Sequence, residues 1–533
     1  MPKIIIDGKE VECREKISVL QAALDAGWNI PHYCYHPGLK VVASCRLCLM
    51  EMKMPHPQTR ELGWAPKLFP ACQTPVRDGM EVRFDSEKVR QNQRQVMEFY
   101  LLDHPLDCPV CDKAGECYLQ DYSEQFGQAT SRMVEPKHKN PKKDIGSHTL
   151  LYCDRCVQCT RCVRFCDEIA GTGELRLINR GSRNEIDVFP GEPLENELQG
   201  NVVDLCPVGA LLSKDFLFEQ RVWLLNAAKS VSPADSRGST IWIDYNKQGV
   251  HRIRPRYNPQ VNDWWISDEA RFGWKYINSD QRLNTPRTRR NGELAAIAWE
   301  DLPGLLRDRF ASVAAEDQGA SVAAVLSPMM SCEEAWLLAR FTRSTAPKAT
   351  LVLGHVPIDG EDKVFPRGFV IKAEKCPNRR GVEQIIAHLG GSTISFDEFV
   401  SAAGAGKFTA AYVVGGYPKD WITEQQAQAL SKIEALVVHD LFPSPLDAHA
   451  AVQIPSASFA EREGSFVNCD GLLQPFERAI TPLEGVKPDG QFFFELAGES
   501  GLFRAEKVRK SAAEELKMFA EIHIPPDEPK YAH

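Results

Sequence analysis

The sequence predicts a multidomain fold in which α+β domains precede a larger α/β domain. The chain has 533 residues, more than one hydrophobic core usually serves. Fourteen of its 17 cysteines fall before residue 207, most of them in tight groups. Beyond about residue 220 the sequence pattern changes, and short apolar runs alternate with helical patterns. These observations separate a cysteine-rich N-terminal half from a C-terminal half built like a parallel-sheet protein.

The N-terminal segment has the pattern of a hairpin followed by a short helix. In Lys3–Val11 the turn dipeptide Asp7-Gly8 lies between the apolar run Ile4–Ile6 and Val11, which predicts a β-hairpin. Ser18 can cap a helix that continues to Ala26, with Gly27 as its stop. A hairpin, a short helix and a cysteine-rich loop are how a small β-grasp ferredoxin domain begins.

A longer helix and a linker are predicted next. Ser86 can cap a helix whose apolar positions recur with a period of about 3.6. This helix should stop near His104-Pro105, because the residue before proline disfavours helical geometry. Arg132–Asp144 is polar, basic and contains proline, so we interpret it as a solvated linker.

The C-terminal half shows βαβ alternation, which predicts a Rossmann-like parallel sheet. The tail from Pro525 is expected to fray. The predicted strands and helices follow one another as Ser321–Leu326, Glu333–Thr342, Ala349–Leu353, Thr409–Val414, Thr423–Lys432 and Ala435–His439.

Bulk properties exclude several classes of protein. The net charge of −9 argues against general nucleic-acid binding. No apolar run approaches the roughly 18–20 residues that cross a bilayer, and Met1–Glu12 lacks the pattern of a signal or transit peptide. We therefore expect a protein of the bacterial cytoplasm. In that compartment, clustered Cys-x-x-Cys units indicate metal binding rather than disulfides.

The first cysteine set is Cys34, Cys45, Cys48 and Cys72. A loop with three ligands that is closed by a distant fourth is typical of plant-type [2Fe–2S] sites. Arg46 lies between two of the ligands and can offset the negative charge of thiolates and sulfides. The alternative is a structural zinc site, which more often uses two close pairs of cysteines.

The second set is His104, Cys108, Cys111 and Cys117. By spacing alone, three cysteines and one histidine suit a [4Fe–4S] cluster and a zinc ion equally well. A neutral imidazole in place of a thiolate would remove one negative charge from a cluster and shift its reduction potential, as the histidines of Rieske centres do.

The third group offers six cysteines for four positions. A Cys-x2-Cys-x2-Cys run with a remote Cys-Pro pair indicates a [4Fe–4S] cluster and suits zinc poorly. Spacing leaves two registers open, one using Cys153 and one using Cys162. The members are Cys153, Cys156, Cys159, Cys162, Cys166 and Cys206. The isolated Cys13, Cys332, Cys376 and Cys469 receive no function, because free cysteine is commonly a small buried apolar residue.

With these motifs in view, the chain resembles the large iron–sulfur subunit of NADH:quinone oxidoreductase, respiratory complex I. The segment HPLDCPVCDKAGECYLQD at His104–Asp121 is similar to that family's one-His, three-Cys loop. SCRLCLMEM at Ser44–Met52 and PACQTPVRDG at Pro70–Gly79 resemble its [2Fe–2S] segments. RCVQCTRCVRF at Arg155–Phe165 and NVVDLCPVGALLSK at Asn201–Lys214 resemble its second [4Fe–4S] site.

The resemblance implies the register Cys156, Cys159, Cys162 and Cys206, with Cys153 and Cys166 as extra residues. It implies one [2Fe–2S] and two [4Fe–4S] clusters. A further cluster that some members carry after this site should be absent, because residues 207–331 contain no cysteine. No molybdopterin is expected, because the C-terminal half resembles a molybdopterin-oxidoreductase fold without an identifiable ligand motif.

The resemblance also implies a domain order and a function. The chain would carry electrons from the flavin-bearing, NADH-oxidising subunit toward a ferredoxin-like subunit and quinone, without binding NADH itself. It would lie on the cytoplasmic side of the inner membrane. The implied domains are a [2Fe–2S] β-grasp ferredoxin domain (1–84), a helical one-His/three-Cys [4Fe–4S] module (85–131), a four-Cys [4Fe–4S] ferredoxin-like domain (145–220), a molybdopterin-oxidoreductase-like segment without a cluster (221–277) and a Rossmann-like molybdopterin-oxidoreductase-type domain (278–533).

Two other classes of function remain as alternatives. The N-terminal half also resembles iron–sulfur subunits of NAD-linked formate dehydrogenases and hydrogenases, although the former normally needs a longer chain with a molybdenum cofactor. A zinc-bound scaffold is the third class, and it would be colourless when purified.

Overall fold

A computed structural model of the chain describes residues 1–55, 58, 60–390 and 394–527. The part of the predicted frayed tail beyond residue 527 lies outside the described residues. No helix in the described ranges combines the length and apolar composition that a bilayer-spanning segment needs. The chain forms two compact units, one made mainly of Met1–Leu225 with Phe365–Phe369 and the other of Asn226–Val364 with Val370–Pro526.

Among the described residues, the first unit contains eleven short strands and five α-helices. Its strands are β1 (Lys3–Ile6), β2 (Lys9–Glu12), β3 (Leu49–Pro55), β4 (Leu62–Trp64), β5 (Phe69–Pro70), β6 (Glu81–Arg83), β7 (Lys142–Asp144), β8 (Thr149–Tyr152), β9 (Leu175–Ile178), β10 (Glu185–Val188) and β11 (Leu211–Ser213). Its helices are α1 (Val19–Asp25), α2 (Glu87–Leu101), α3 (Tyr118–Phe126), α4 (Arg161–Phe165) and α5 (Asn201–Leu205).

The predicted hairpin and both predicted helix starts are confirmed. β1 and β2 pair antiparallel across the Asp-Gly turn, and β1 also pairs in parallel with β6. The sheet continues in the order β2-β1-β6-β3-β4, with β5 paired to β3. The side chains of Ser18 and Ser86 accept hydrogen bonds from the first turns of α1 and α2. Helix α1 packs its apolar face on this sheet and closes the core of the N-terminal domain.

The linker prediction for Arg132–Asp144 is wrong at its C-terminal end. Lys142–Asp144 is strand β7, which pairs antiparallel with β8 in the three-stranded sheet β11-β8-β7. The ammonium group of Lys143 is paired with the carboxylates of Glu185 at 3.0 Å and Asp187 at 2.6 Å. A charged edge strand of this kind is polar because its partners are also charged, so its composition resembles that of a linker.

The second unit is larger and is built around a seven-stranded sheet. Its strands are β12 (Asn226–Val231), β13 (Thr240–Asn246), β14 (Gly249–Pro255), β15 (Arg287–Arg290), β16 (Glu293–Ala296), β17 (Val322–Leu326), β18 (Thr350–Leu353), β19 (Lys363–Val364), β20 (Val370–Ile371), β21 (Ala410–Val414), β22 (Ala435–Asp440), β23 (Val452–Pro455), β24 (Gly464–Val467) and β25 (Leu473–Phe476). Its helices are α6 (Asp268–Phe272), α7 (Leu302–Asp317), α8 (Cys332–Thr345), α9 (Arg379–Gly390), α10 (Phe396–Gly404), α11 (Glu424–Leu430), α12 (Asp489–Leu496) and α13 (Ala505–Ala512).

The predicted parallel sheet is confirmed. Its order is β16-β15-β23-β22-β21-β17-β18, and the neighbours from β23 to β18 are parallel. Alternate residues of these strands belong to two different apolar cores. One core includes residues of α7, α8, α9 and α12, and the other includes residues of α10 and α11. Helices therefore cover both faces of the sheet, as all-parallel strands require.

Candidate metal centres

The four cysteines of the first set lie together in the first unit. All four are buried, and the sulfur atoms of Cys34 and Cys45 are 3.5 Å apart. Hydrogen bonds with the thiols of Cys45 and Cys72 lower the pKa of Cys34. A hydrogen bond with Cys72 likewise lowers the pKa of Cys48. The four sulfurs thus form one connected group, as a binuclear cluster requires.

The backbone around this set explains why the sulfurs converge. Cys48 immediately precedes β3, and Cys72 follows β5, which is paired with β3. The amide of Ala71 donates to the carbonyl oxygen of Cys48 at 3.1 Å, so the remote fourth cysteine is tied to the loop. The amide of Tyr33 is 3.5 Å from the sulfur of Cys45. Such N–H donors to ligand sulfurs tune the reduction potential of a cluster.

The second set lines one cavity. His104, Cys108, Cys111 and Cys117 all face a space of about 390 Å³ in the first unit. Helix α2 ends three residues before His104, and Cys117 is the N-cap of α3. Cys111 and Cys117 are buried, whereas Cys108 is exposed. Two helix ends and a short turn therefore bring all four predicted ligands to one place.

Burial in this cavity favours the uncharged forms of His104 and Cys117. Burial, together with the positive charges of Arg155 and Lys137, lowers the pKa of His104 to about 4. Burial raises the pKa of Cys117 to about 11. Near neutral pH the imidazole is therefore neutral, which is the form that binds a metal.

Gly209 approaches the second set closely. A Cβ atom at this position would lie 2.2 Å from the sulfur of Cys111 and 3.3 Å from the Cβ of Lys113. Glycine is therefore needed here for space, since no other residue leaves room for the thiol. Spacing arguments missed this residue, although its place three residues after a predicted ligand is a usable signal.

We expect Gly209→Ala to lose the second cluster selectively. The methyl group would displace the Cys111 thiol or the backbone next to Cys206, and such overpacking costs about 1–3 kcal/mol. Iron analysis should show a loss of roughly four iron atoms per chain. Gly63→Ala is the control, because nothing lies within 4 Å of a Cβ at Gly63, and it should keep all iron. Full iron content in Gly209→Ala would contradict the expectation.

Four cysteines of the third group act on one another. Burial raises the pKa of Cys162, and negative charge on Cys159, Cys156, Cys206 and, most weakly, Cys166 raises it further. Cys206 is the C-cap residue of α5, and Cys162 lies in the first turn of α4. The backbone is left-handed at Gln158 and Thr160, with φ of 50° and 58°. These two residues turn the loop between Cys156 and Cys162.

The two remaining cysteines of this group have other close partners, although negative charge on Cys153 also acts on Cys156 and negative charge on Cys166 also acts on Cys162. Burial raises the pKa of Cys153 to about 12, and the nearest charges belong to Lys143, Glu185 and Asp187. Its sulfur is 3.9 Å from the carbonyl oxygen of Ile186 in β10. Burial also raises the pKa of Cys166 to about 12, with the carboxylate of Glu174 as the strongest negative charge nearby.

Three arginines interleaved with the cysteines are buried, and sequence reasoning did not identify them. Arg155, Arg161 and Arg164 are 2%, 1% and 7% exposed. The side chain of Arg46, to which charge compensation was assigned, is exposed. Arginines between closely spaced ligand cysteines can be predicted to be buried. The cysteines must point toward the metal, so the arginines between them are buried with the loop.

In the described ranges, no three His, Cys, Asp or Glu side chains converge on a point where one metal ion could bind. The ligands of an iron–sulfur cluster need no such point, because they are bonded to different iron atoms of a larger group. The donor set fits clusters in another respect, since thiolates and imidazole are the ligands that iron–sulfur centres take.

The second unit has a separate cavity of about 410 Å³ at the carboxyl ends of β18 and β21. Its lining includes Trp274, Tyr417 and Trp421, and an ion pair of 2.6 Å joins Lys375 to Glu269. Cys332 and Cys376 are buried in this unit, and Cys469 is partly exposed.

Five family models match successive parts of the chain. They are the 2Fe-2S iron-sulfur cluster binding domain (3–87), the NADH-ubiquinone oxidoreductase-G iron-sulfur binding region (93–132), the ferredoxin-like domain of NADH-quinone oxidoreductase subunit 3 (146–212), the NDSU1/NuoG-like 4Fe-4S domain of NADH-ubiquinone oxidoreductase (225–275) and molybdopterin oxidoreductase (386–499). The fourth of these matches a segment without cysteine, so thiolate ligands for a cluster are not available there.

Curated relatives extend this similarity to nearly the whole chain. A 75 kDa subunit of NADH-ubiquinone oxidoreductase from Reclinomonas americana is 40% identical over 56% of the chain and 42% of its own length. A solved NAD+-reducing [NiFe]-hydrogenase has a TM-score of 0.36 and 26% identity, covering 42% of this chain and 91% of its own. The G subunit of NADH-quinone oxidoreductase from Rickettsia felis is 30% identical over 98% of this chain and 92% of its own length. The chain therefore belongs to the family of NADH-quinone oxidoreductase G subunits.

Proposed function

We propose that this chain carries electrons within NADH-quinone oxidoreductase, from the flavin-bearing, NADH-oxidising subunit toward quinone. The observation that carries the proposal is the convergence of three ligand sets within one compact unit. When bound, iron–sulfur clusters accept and release single electrons, which no side chain of this unit does by itself. The chain needs no acid–base or nucleophilic residues for this role.

Each ligand set is assigned to one cluster. Cys34, Cys45, Cys48 and Cys72 hold a [2Fe–2S] cluster. Two [4Fe–4S] clusters are held by His104, Cys108, Cys111 and Cys117, and by Cys156, Cys159, Cys162 and Cys206. The contacts of Cys153 with Ile186 and of Cys166 with the charges around Glu174 support leaving both cysteines out of the ligand list.

The protein's own contribution is to exclude water and to balance charge. All four cysteines of the first set and three of the third set are buried, whereas Cys156 is partly exposed. Burial strengthens the electrostatic interactions near these residues. Near the second set, the guanidinium of Arg155 donates to the carbonyl oxygen of Gly209 at 3.4 Å and to the carboxylate of Asp107 at 2.8 Å. Burial raises the pKa of Cys111, and the positive charge of Arg155 partly offsets this shift.

We further infer the finer domain architecture. The mixed sheet with α1 packed on it supports a β-grasp ferredoxin domain at 1–84. The two-sided parallel sheet supports a Rossmann-like domain at 278–533, after a cluster-free segment at 221–277. The [4Fe–4S] modules occupy 85–131 and 145–220, although β7 moves the start of the latter to Lys142.

The second unit is proposed to be a docking and structural domain without a molybdenum cofactor. The glycine pair Gly415-Gly416 follows the end of β21, a position at which a pterin cofactor's phosphate could bind to a glycine-rich turn. The amide of Gly416 instead donates to the carboxylate of Asp440 at 2.8 Å, and a Cβ at Gly415 would meet the same carboxylate. An acidic side chain at this turn repels a phosphate group.

The proposed partners are other peripheral subunits of the complex, including the flavin-bearing subunit and the ferredoxin-like subunit that leads to quinone. The proposed location is the cytoplasmic face of the bacterial inner membrane, with membrane contact only through those partners. Neither NADH nor nucleic acid is a proposed ligand of this chain.

Metal analysis of the purified full chain tests the proposal. We expect roughly ten iron atoms per chain with matching sulfide, and neither zinc nor molybdenum in stoichiometric amount. EPR of the reduced protein should show one binuclear and two tetranuclear species. Stoichiometric zinc would contradict the cluster assignment of one set, and bound molybdenum or pterin would contradict the assignment of the second unit.

A further inference from the structure

Arg164 joins the first and third ligand sets through its guanidinium group. This residue lies on α4, two residues after Cys162. Its Nη2 atom donates to the carbonyl oxygen of Cys34 at 2.5 Å and to that of Cys159 at 3.2 Å. One buried nitrogen therefore contacts the backbone of a proposed ligand from each set.

The other nitrogens of Arg164 extend this pattern. Nη1 donates to the carbonyl oxygen of Lys40 at 2.6 Å, and Nε donates to that of Thr160 at 3.3 Å. The amide of Lys40 in turn donates to the carboxylate of Glu168 at 3.0 Å. The Cys34–Lys40 loop is thus held at both its ends by the segment that contains α4.

A second arginine on α4 repeats the arrangement beside Arg164. Arg161 donates to the carbonyl oxygen of Tyr35, and its Nη1 atom is 3.3 Å from the carbonyl oxygen of Leu205. Tyr35 follows Cys34, and Leu205 precedes Cys206 in the chain. The same helix therefore contacts the backbone next to ligands of both sets twice.

The chemistry of arginine suits this position. The guanidinium is planar, offers five donors and stays protonated in proteins. Carbonyl oxygens satisfy its donors without cancelling its charge, unlike a carboxylate. Burial lowers the pKa of Arg164, and negative charge on Cys159 and Cys34 opposes this shift. A charge so buried is weakly screened, and it stabilises the reduced, more negative form of a neighbouring cluster.

We propose that Arg164 is a positioning residue shared by the first and third cluster sites, which holds their ligand loops together and raises the reduction potentials of both clusters. This inference rests on the proposed cluster assignment. It differs from the charge role first assigned to Arg46, because Arg46 is exposed and lies in only one ligand loop.

The test is a redox titration followed by EPR on the assembled complex carrying Arg164→Met. Methionine fills much of the space but has no charge and no donor. We expect the equilibrium constant for reduction to fall about tenfold for both clusters, which is about 59 mV for a one-electron couple. Iron content should be unchanged, and the cluster of the His104 set should keep its potential. Arg176→Met is the matched control, because Arg176 is exposed and pairs with Asp167.

Arg164→Lys separates charge from position and serves if the methionine variant does not assemble. Lysine keeps the charge but cannot reach four carbonyl oxygens. We expect both potentials to stay closer to the unsubstituted values than in Arg164→Met. Amide hydrogen exchange should nevertheless become faster in residues 34–40 and 160–165, and stay unchanged in residues 108–117.

Two results would overturn the inference. One is a shift of only one potential, or of neither, in an iron-replete Arg164→Met protein. The other is unchanged exchange in residues 34–40 of Arg164→Lys. Absence of iron from the unsubstituted chain would instead contradict the proposed function itself, so the two failures are distinguishable.

Discussion

Cys162→Ala is expected to remove the third cluster, whereas Cys153→Ala and Cys166→Ala are expected to retain it. Negative charge on Cys159, Cys156 and Cys206 acts on Cys162 more strongly than negative charge on Cys166 does. Cys162 is one of the four proposed protein ligands of this cluster, and alanine offers no replacement ligand. The loss should amount to roughly four iron atoms per chain, together with one tetranuclear EPR species.

The two other variants are matched controls within the same segment. Cys153 and Cys166 are as buried as Cys162, so each substitution creates a similar small cavity and a similar stability cost. Alanine is preferred to serine, because a buried hydroxyl could bind iron or remain without a hydrogen-bond partner. Iron loss from Cys153→Ala with retention in Cys162→Ala would establish the other register that spacing allows.

Much of the second unit was predictable from the sequence, for a physical reason. Strands of a parallel sheet are buried on both faces, so β17 and β21 appear as short runs of apolar residues. Ser331 and Thr423 are the N-cap residues of helices α8 and α11, and each forms a capping box with the residue three positions later. Local patterns suffice here because the burial and the capping partners are set by neighbours in the chain.

Strand β7 was not predictable, because its partners are remote. Lys143 is paired with Glu185 and Asp187, more than forty residues away. Lys142 lies over the ring of Tyr152, 4.8 Å from its centroid. Composition alone does not distinguish a strand of charged residues at a sheet edge from a linker, since both consist of polar residues.

The residues of the metal centres also fall into those that the sequence predicts and those that it does not. The ligand types and their spacing were visible in the sequence, because cysteine loops that bind clusters are local. The supporting residues were not visible, since they depend on contacts across long separations. Arg164 donates to the carbonyl oxygen of Cys34, 130 residues away in the chain. Gly209 lies close to the sulfur of Cys111, which is also remote in the chain. The choice among six cysteines in the third group stays a prediction.

His104→Cys should lower the reduction potential of the second cluster while the cluster survives. His104 lines the same cavity as Cys108, Cys111 and Cys117, and Pro105 turns the chain after α2 so that the cysteine loop can fold back. A thiolate adds one negative charge to the cluster, which makes the reduced state harder to reach. The shift should be on the order of 100 mV, because two such exchanges separate Rieske from plant-type centres by about 250 mV or more.

His104→Ala should give a different result from His104→Cys. Without a side-chain ligand, one iron atom is open to solvent and is lost readily, so EPR should detect a three-iron species in the oxidised protein. His138→Cys is the control for a histidine replaced nearby, because His138 is exposed and its backbone amide contacts Asp103. It should change neither the potential nor the iron content. If His104 only donates a hydrogen bond to a cluster sulfur, His104→Ala will keep an intact four-iron signal with a small shift in potential. That outcome would remove His104 from the proposed ligands.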